Sequence, residues 1–224
     1  MKDKFSSFGS LLLSWYFAHD KRSFPWRKSK DPYQILVAEL MLQRTKASQV
    51  VPVFLSFIDR FPSISVLATA TLSEIQTYFS KLGLFWRAKN VALLAEKLKD
   101  FDRKIPRNRE ELMSLPGVGE YVADAVRCFA FREEVVIIDS NVCRILRRVF
   151  GLKQKREARR DSIYRKTANR LLPNSMCREF NWAMIDHASI ICVPRNPKCS
   201  ICPLNCICDY YLKSGVARAE VEKR

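Results

Sequence analysis

Four cysteines near the C-terminus, Cys192, Cys199, Cys202 and Cys208, have the spacing C-x6-C-x2-C-x5-C. Thiolates this close in sequence can converge on one inorganic centre, because sulfur is a soft ligand and short loops close at little entropic cost. The spacing favours an iron–sulfur cluster and leaves a structural zinc ion or two disulfides as alternatives. Cys206 lies inside the last interval, and we do not expect it to be a ligand.

A carboxylate, Glu39, lies in the otherwise apolar segment 38–45, which reads AELMLQRT. An acid with such neighbours is not expected to be a solvated surface group. Helical spacing places Gln43 on the same face as Glu39, with Arg44 beside them at the helix end. This arrangement is typical of a polar site built on a buried helix.

A second carboxylate, Asp139, follows the apolar run 135–138 and precedes a helical pattern. As a lone feature it would be an ordinary N-cap, with Asn141 supporting the turn. The functional alternative is a carboxylate at the edge of a pocket, where it stabilises a developing cation or activates water. Two carboxylates in surroundings of different polarity could divide acid and water-activating roles, as in glycosyl-bond chemistry.

Residues 115–119 read LPGVG and separate two helical segments. The two glycines permit backbone conformations and close approaches that side chains would block. The N–H groups at the start of the next helix could then bind a phosphate without reading base sequence. The alternative is a plain Pro-Gly turn. If the turn binds phosphate, the contacts come from Leu115, Gly117, Val118 and Gly119.

The charge balance indicates a polyanionic partner. Lys and Arg number 39 against 23 Asp and Glu, a formal charge of +16 that is spread along the chain. Nucleic acid is favoured over a membrane surface, and a solvated basic surface is the plain alternative. No stretch approaches the roughly 20 apolar residues of a membrane span. We interpret the N-terminus as an amphipathic helix rather than a signal peptide, and free thiols suit a reducing cytoplasm.

The elements that must position these residues are helices, since helical punctuation recurs and neither strand alternation nor an internal repeat is found. We therefore predict an all-α fold. Asp31 and Pro32 are expected to begin a helix as N-cap and first residue, and the basic stretch 153–160 is a candidate linker. The predicted helices cover residues 31–45, 46–61, 72–82, 86–100, 108–114, 122–130, 142–150, 157–172 and 177–191.

Taken together, the LPGVG hairpin, the downstream Asp139 and the cysteine spacing resemble the helix-hairpin-helix DNA glycosylases of the endonuclease III superfamily. The resemblance runs from Phe24 to Cys208. It implies a [4Fe–4S] cluster on Cys192, Cys199, Cys202 and Cys208. It also implies two helical lobes with DNA and a flipped base between them: residues 24–133, and residues 1–23 with 134–224.

Tyr121, two residues after the hairpin, discriminates among the glycosylases of this family. Lyase members carry a lysine there that attacks the sugar and forms a Schiff base. A phenol cannot form this imine, so the resemblance predicts a monofunctional enzyme. The structural alternative is that Tyr121 is only a packing residue. Tyr121 and the sequence of residues 43–45 resemble thymine/uracil mismatch glycosylases, which act opposite guanine.

The alternative is an adenine glycosylase acting opposite guanine or oxidised guanine, which residues 39–43 and the cysteine spacing also resemble. Those enzymes usually have a small hydroxyl residue in place of Tyr121 and add a C-terminal domain. The sequence continues only sixteen residues beyond Cys208, so we expect that domain to be absent.

The resemblance further implies that Asp139 stabilises an oxocarbenium-like sugar or activates water. Glu39 would assist protonation or water positioning, and Tyr121 would contact the pyrimidine. Mismatched double-stranded DNA would bind at the hairpin and at Arg195 and Lys198 in the cysteine loop. The orphan guanine would meet Gln43 and Arg44. We expect a monomer in the cytoplasm of a prokaryote, at the nucleoid while it works.

Two aromatic residues, Phe85 and Trp86, could supply a wedge between bases, although we favour the core for residues at a helix start. Two nonenzymatic hypotheses also remain: a hairpin module that only binds DNA, and a redox sensor that reports through its cluster. The carboxylates Glu39 and Asp139 argue against the first.

Overall fold

The structure is a computed structural model that describes residues 4–19 and 22–213. Every regular element within these ranges is a helix, so the all-α prediction is confirmed. Three 3-10 helices cover Leu98–Phe101, Ala158–Arg160 and Asn205–Ile207. The α-helices are α1 Lys4–Ala18, α2 Pro25–Lys28, α3 Pro32–Leu42, α4 Ala47–Arg60, α5 Ile64–Leu67, α6 Leu72–Ser80, α7 Phe85–Lys97, α8 Arg109–Ser114, α9 Glu120–Phe129, α10 Ser140–Phe150, α11 Ser162–Leu171, α12 Cys177–Ile190 and α13 Asp209–Lys213.

Local sequence explains where several of these helices begin. The Asp31 carboxylate accepts the Tyr33 N–H at the start of α3, and Pro32 occupies the first turn, as predicted. Thr71 and Glu74 form a reciprocal capping box at α6. Helix α10 ends at Gly151, which has the left-handed φ of 65° that glycine adopts without steric cost.

The structure corrects several sequence-based predictions. Helix α3 ends at Leu42 instead of Thr45, and α11 begins at Ser162 instead of residue 157. The short helices α2 and α5 were not predicted, because four residues show no periodicity. The basic stretch 153–160 does not link domains, since α10 and α11 on either side of it belong to the same packed unit.

The chain packs as two units. The middle unit is Ser23–Glu133, and the terminal unit combines Met1–Arg22 with Glu134–Arg224. In the middle unit α3 packs on α4 and α9, and α6 on α7. Its fully buried side chains include Leu36, Phe57, Phe61, Phe79 and Leu94.

The terminal unit has its own hydrophobic core. Helices α1 and α10 both pack on α12, and Phe8, Leu12, Ile145, Leu146 and Phe180 are fully buried there. Each unit therefore has the buried apolar area that a stable helical body requires. Within the described residues, none of the helices is long and apolar enough to cross a bilayer.

Candidate functional site

The LPGVG segment forms a tight turn between α8 and α9. The Leu115 and Val118 side chains are buried, and the Val118 N–H donates to the Leu115 carbonyl. Gly117 has φ +81°, and a Cβ there would lie 3.3 Å from the Cβ of Asn90. Any other residue would be strained by about 1–2 kcal/mol from its backbone alone.

Gly119 is the N-cap residue of α9, and no side chain caps this helix. The first N–H groups of an α-helix have no partner within the helix. Because a Cβ at Gly119 would meet nothing within 4 Å, an anion can approach these amides closely. The turn therefore presents backbone donors and the positive end of a helix dipole, while Leu115 and Val118 anchor it from inside.

Glu39 lies in the buried part of α3, where its side chain is only 4% exposed. At the end of this helix, Gln43 donates from Nε2 to the Gly117 carbonyl at 3.3 Å. The structure thus joins two predicted features, the polar end of α3 and the glycine turn. Tyr121 is half-buried in the first turn of α9.

Arg87, a residue that sequence reasoning missed, holds the end of α3. Its guanidinium is buried and donates to the Leu40 carbonyl at 3.3 Å and the Gln43 carbonyl at 2.6 Å. The last carbonyls of a helix need such partners. Burial, with Arg44 nearby, lowers the pKa of Arg87, although an arginine stays charged.

This interaction explains why α3 ends at Leu42. Arg44 has the left-handed φ of 61°, which is rare outside glycine, and Arg87 binds carbonyls that a longer helix would use. Arg44 is consequently exposed beside the half-buried Gln43. The one sequence signal that could have identified Arg87 is its position directly after the aromatic residues Phe85 and Trp86.

The expectation that Phe85 and Trp86 belong to the core was wrong. Phe85 is 62% and Trp86 54% exposed, at the start of α7 and just after Gly83, whose φ is +68°. Exposed neighbouring aromatic rings are the exception on the surface of a folded unit and indicate a binding surface.

In the terminal unit, Asp139 is the N-cap of α10. Its Oδ1 accepts the N–H groups of Asn141 at 2.8 Å and Val142 at 2.7 Å, and its Oδ2 accepts Nδ2 of Asn141 at 2.6 Å. Asn141 therefore supports the turn, as predicted. The capping interpretation is thus confirmed, and these bonds also hold a half-buried carboxylate in one orientation.

Arg144 extends this arrangement to the first cysteine of the loop. It donates to Oδ1 of Asn141 at 2.9 Å, to the Cys192 carbonyl at 2.8 Å and to the Ala188 carbonyl at 3.0 Å. Burial is the main cause that lowers the pKa of Arg144. A continuous hydrogen-bonded path thus joins Asp139 to the backbone of Cys192.

The four predicted cysteine ligands line one cavity, together with Arg148 and His187. All eight cysteines of the chain are free thiols, so the disulfide alternative is wrong. Cys206 is exposed and does not line the cavity. In the loop, Arg195 and Lys198 are exposed, which leaves their charges accessible to a phosphate.

The donor set of this cavity, four cysteine side chains, fits an iron–sulfur cluster, which is held by cysteine thiolates. Tetrahedral zinc requires four ligands at about 2.0–2.3 Å from one point. A cluster accepts four thiolates around a larger body, which agrees with four cysteines surrounding a cavity.

Two cationic or polar side chains approach the sulfurs. Nη1 of Arg148 lies 3.3 Å from Sγ of Cys192, and Nε2 of His187 lies 3.3 Å from Sγ of Cys202. Burial raises the pKa of the Cys202 thiol to about 12. Binding of a cationic centre must therefore displace a proton from this thiol.

Comparison with known proteins identifies the class. Residues 37–171 match the HhH-GPD superfamily of base excision DNA repair proteins, and the chain belongs to this family. It is 37% identical over 215 residues to the thymine/uracil-DNA glycosylase of Pyrobaculum aerophilum, covering 93% of this chain and 94% of that protein.

It is also 38% identical over 197 residues to the adenine DNA glycosylase of Mycolicibacterium smegmatis, covering 87% of this chain and 66% of the relative. Among solved structures, a thermostable thymine-DNA glycosylase superposes with a TM-score of 0.88 at 35% identity. That match covers 94% of this chain and 97% of the other. The predicted family resemblance is thereby confirmed.

Proposed function

We propose that this protein is a DNA glycosylase of base excision repair. It hydrolyses the N-glycosidic bond of thymine or uracil mispaired with guanine and leaves an abasic site. The observation that carries the choice of base is the similarity to a thymine/uracil-DNA glycosylase over nearly the whole length of both chains. The similarity to adenine DNA glycosylases favours a second candidate, removal of adenine.

Asp139 acts on the sugar of the extruded nucleotide. As the base departs, positive charge develops on the sugar ring, and a preorganised carboxylate stabilises it or deprotonates the attacking water. The bonds from Asn141 and Val142 hold the Asp139 carboxylate in place. This preorganisation avoids a reorientation cost during the reaction.

Glu39 assists protonation of the leaving base or positions the water, and Tyr121 packs on or hydrogen-bonds the pyrimidine. Glu39 is buried in α3, a position that shields its carboxyl group from bulk water. Because the phenol of Tyr121 cannot form an imine with the sugar, the enzyme leaves the strand uncut.

The DNA is held mainly through its phosphates. The amides at the glycine turn and the exposed Arg195 and Lys198 supply donors without reading sequence. A mismatched base leaves the stack more easily than a paired one. Gln43 and Arg44 then contact the orphan guanine, while the exposed ring of Phe85 or Trp86 fills the gap left in the stack.

The same proposal includes a [4Fe–4S] cluster held by Cys192, Cys199, Cys202 and Cys208. When bound, it cross-links the loop that carries Arg195 and Lys198 and so fixes their positions. His187 and Arg148 stabilise the thiolates of Cys202 and Cys192. The protein acts as a monomer on chromosomal DNA in the cytoplasm.

One assay tests the proposal. Labelled duplexes containing T·G, U·G, A·G and A·8-oxoguanine are incubated with the protein, and strand cleavage is measured with and without hot alkali. We expect cleavage of the T·G and U·G strands only after alkali. Cleavage without alkali would contradict the monofunctional assignment, and release of adenine alone would replace the substrate with the second candidate.

A further inference from the structure

Residues 153–166, here called the basic segment, carry seven Lys or Arg and only two acidic residues. They follow α10, include the 3-10 helix Ala158–Arg160 and extend into the first part of α11. Six of the seven cationic side chains are exposed, and Arg165 is half-buried. The exposed ones are Lys153, Lys155, Arg156, Arg159, Arg160 and Lys166.

Within residues 4–19, 22 and 134–213 of the terminal unit, most of these cations have no acidic partner. Lys155 pairs with Asp161, but among the described residues no hydrogen bond or ion pair engages the charged groups of Arg156, Arg159 and Arg160. Some surface cations of the middle unit do have acidic partners, as in the pairs Arg60–Glu74, Lys97–Asp100 and Lys99–Glu96. Neighbouring unpaired cations repel one another, and a polyanion removes that repulsion.

The basic segment is packed against the rest of the terminal unit. Ala158 packs against its hydrophobic core, and the 3-10 helix contacts both α10 and α11. The Tyr164 hydroxyl donates to the Lys153 carbonyl at 2.9 Å, which ties the beginning of the segment to α11. The cations are therefore displayed on an ordered surface.

This surface packs on α10, the helix that Asp139 caps, because the 3-10 helix Ala158–Arg160 contacts α10. Burial raises the pKa of the Cys143 thiol to about 11, and Asp139 adds to the rise while Arg159 and Arg165 oppose it. Cys143 is in the first turn of α10, one turn after Asp139. Both arginines thus act on the same turn of helix as the carboxylate.

We propose that the basic segment binds backbone phosphates of the duplex flanking the nucleotide on which Asp139 acts. This placement rests on the proposed function. Arg156, Arg159 and Arg160 form a phosphate-binding surface in addition to the cysteine loop. Guanidinium groups match the geometry of phosphate oxygens, and such contacts set position on DNA without selecting a base. The surface should therefore raise affinity for every duplex, damaged or not.

The test compares two triple variants with equal loss of charge. Arg156→Gln, Arg159→Gln and Arg160→Gln neutralise the basic segment, whereas Lys97→Gln, Lys99→Gln and Lys104→Gln neutralise exposed cations of the middle unit. Affinity for a fully paired duplex is measured over a range of salt concentrations. The slope of log K against log salt is negative, and each lost phosphate contact reduces its magnitude by about 0.9. We therefore expect the magnitude to fall by about 2–3 for the first variant and by less than about 1 for the second.

A wild-type slope for the basic-segment variant would overturn the proposal and make an acidic protein surface the better partner. If the slope falls but wild-type protein releases no base from any mispair, the phosphate surface stands and the proposed function fails. Circular dichroism checks folding. If the triple variant unfolds, Arg156→Gln, which lies outside the 3-10 helix, should reduce the magnitude of the slope by about 0.9, and Lys104→Gln should leave it at the wild-type value.

Discussion

Asp139 combines two roles that are often treated as alternatives, a helix N-cap and a candidate catalytic carboxylate. The bonds that cap α10 also orient the carboxylate, because Asn141 and Val142 donate to both of its oxygens. A capping role by itself would be served equally well by asparagine. Substitution can therefore separate the two roles.

We expect Asp139→Asn to slow base release by about 10²–10⁴-fold, the usual contribution of acid–base catalysis, with DNA affinity and thermal stability retained. Asparagine caps a helix about as well as aspartate. Single-turnover kinetics on a U·G duplex, with a binding titration alongside, measures both quantities. Unchanged turnover would remove Asp139 from the mechanism.

A second prediction at this scale concerns Tyr121. Replacing it with lysine should add an amine able to attack the sugar and form an imine. Reduction with borohydride should then trap the protein on its DNA and give a strand break without alkali. Tyr121→Phe serves as the control and should give no trapped complex. Absence of trapping by the lysine variant would show that position 121 does not reach the sugar.

At the scale of elements, the end of α3 is held by a side chain from another helix. Arg87 of α7 binds the Leu40 and Gln43 carbonyls, and Gln43 in turn binds the Gly117 carbonyl in the turn before α9. Side-chain bonds to backbone carbonyls thereby connect α3, α7 and the turn. The positions of Gln43 and Arg44 depend on this connection.

We expect Arg87→Met to lower the free energy of unfolding by about 2–3 kcal/mol, because hydrogen bonds from charged groups to buried carbonyls contribute about 1.5–3 kcal/mol. Affinity for mismatched DNA should also fall. The control Arg60→Met removes an exposed ion pair with Glu74 and should cost less than about 1 kcal/mol. Equal denaturation midpoints for the two variants would contradict the role of Arg87.

At the scale of the whole molecule, the cysteine loop and the start of α10 lie in the same unit. A chain of hydrogen bonds connects them. Arg144 bonds the Cys192 carbonyl and Asn141, and Asn141 bonds Asp139. If the cysteine loop becomes disordered, the orientation of the Asp139 carboxylate should therefore change, while the middle unit stays as it is.

Cys202→Ser is expected to reduce bound iron and acid-labile sulfide and to lower the thermal midpoint, because the proposed cluster would bind only the folded terminal unit and so stabilise it. Cys206→Ser is the matched control, since Cys206 is exposed and lies outside the cavity. Iron analysis and thermal denaturation are the measurements. Equal iron content in both variants would remove Cys202 from the ligand set.

The sequence by itself determined the features that depend on spacing and local chemistry. Glycine in LPGVG, Asp before a helical pattern and four closely spaced cysteines each carry their physical reason within a few residues. For the same reason the helical class and the caps at Asp31 and Asp139 were predicted correctly.

Only the tertiary structure decided the features that depend on contacts distant in sequence. Arg87 ends α3 from 47 residues away, Arg144 reaches Cys192 across 48 residues, and the basic segment packs into the terminal unit instead of linking two domains. Likewise, whether Phe85 and Trp86 are buried depends on which elements pack near them. Periodicity cannot distinguish a core aromatic residue from an exposed one at a helix start. Such outcomes follow from packing, in which a partner's position is fixed by the folded chain and not by its distance in sequence.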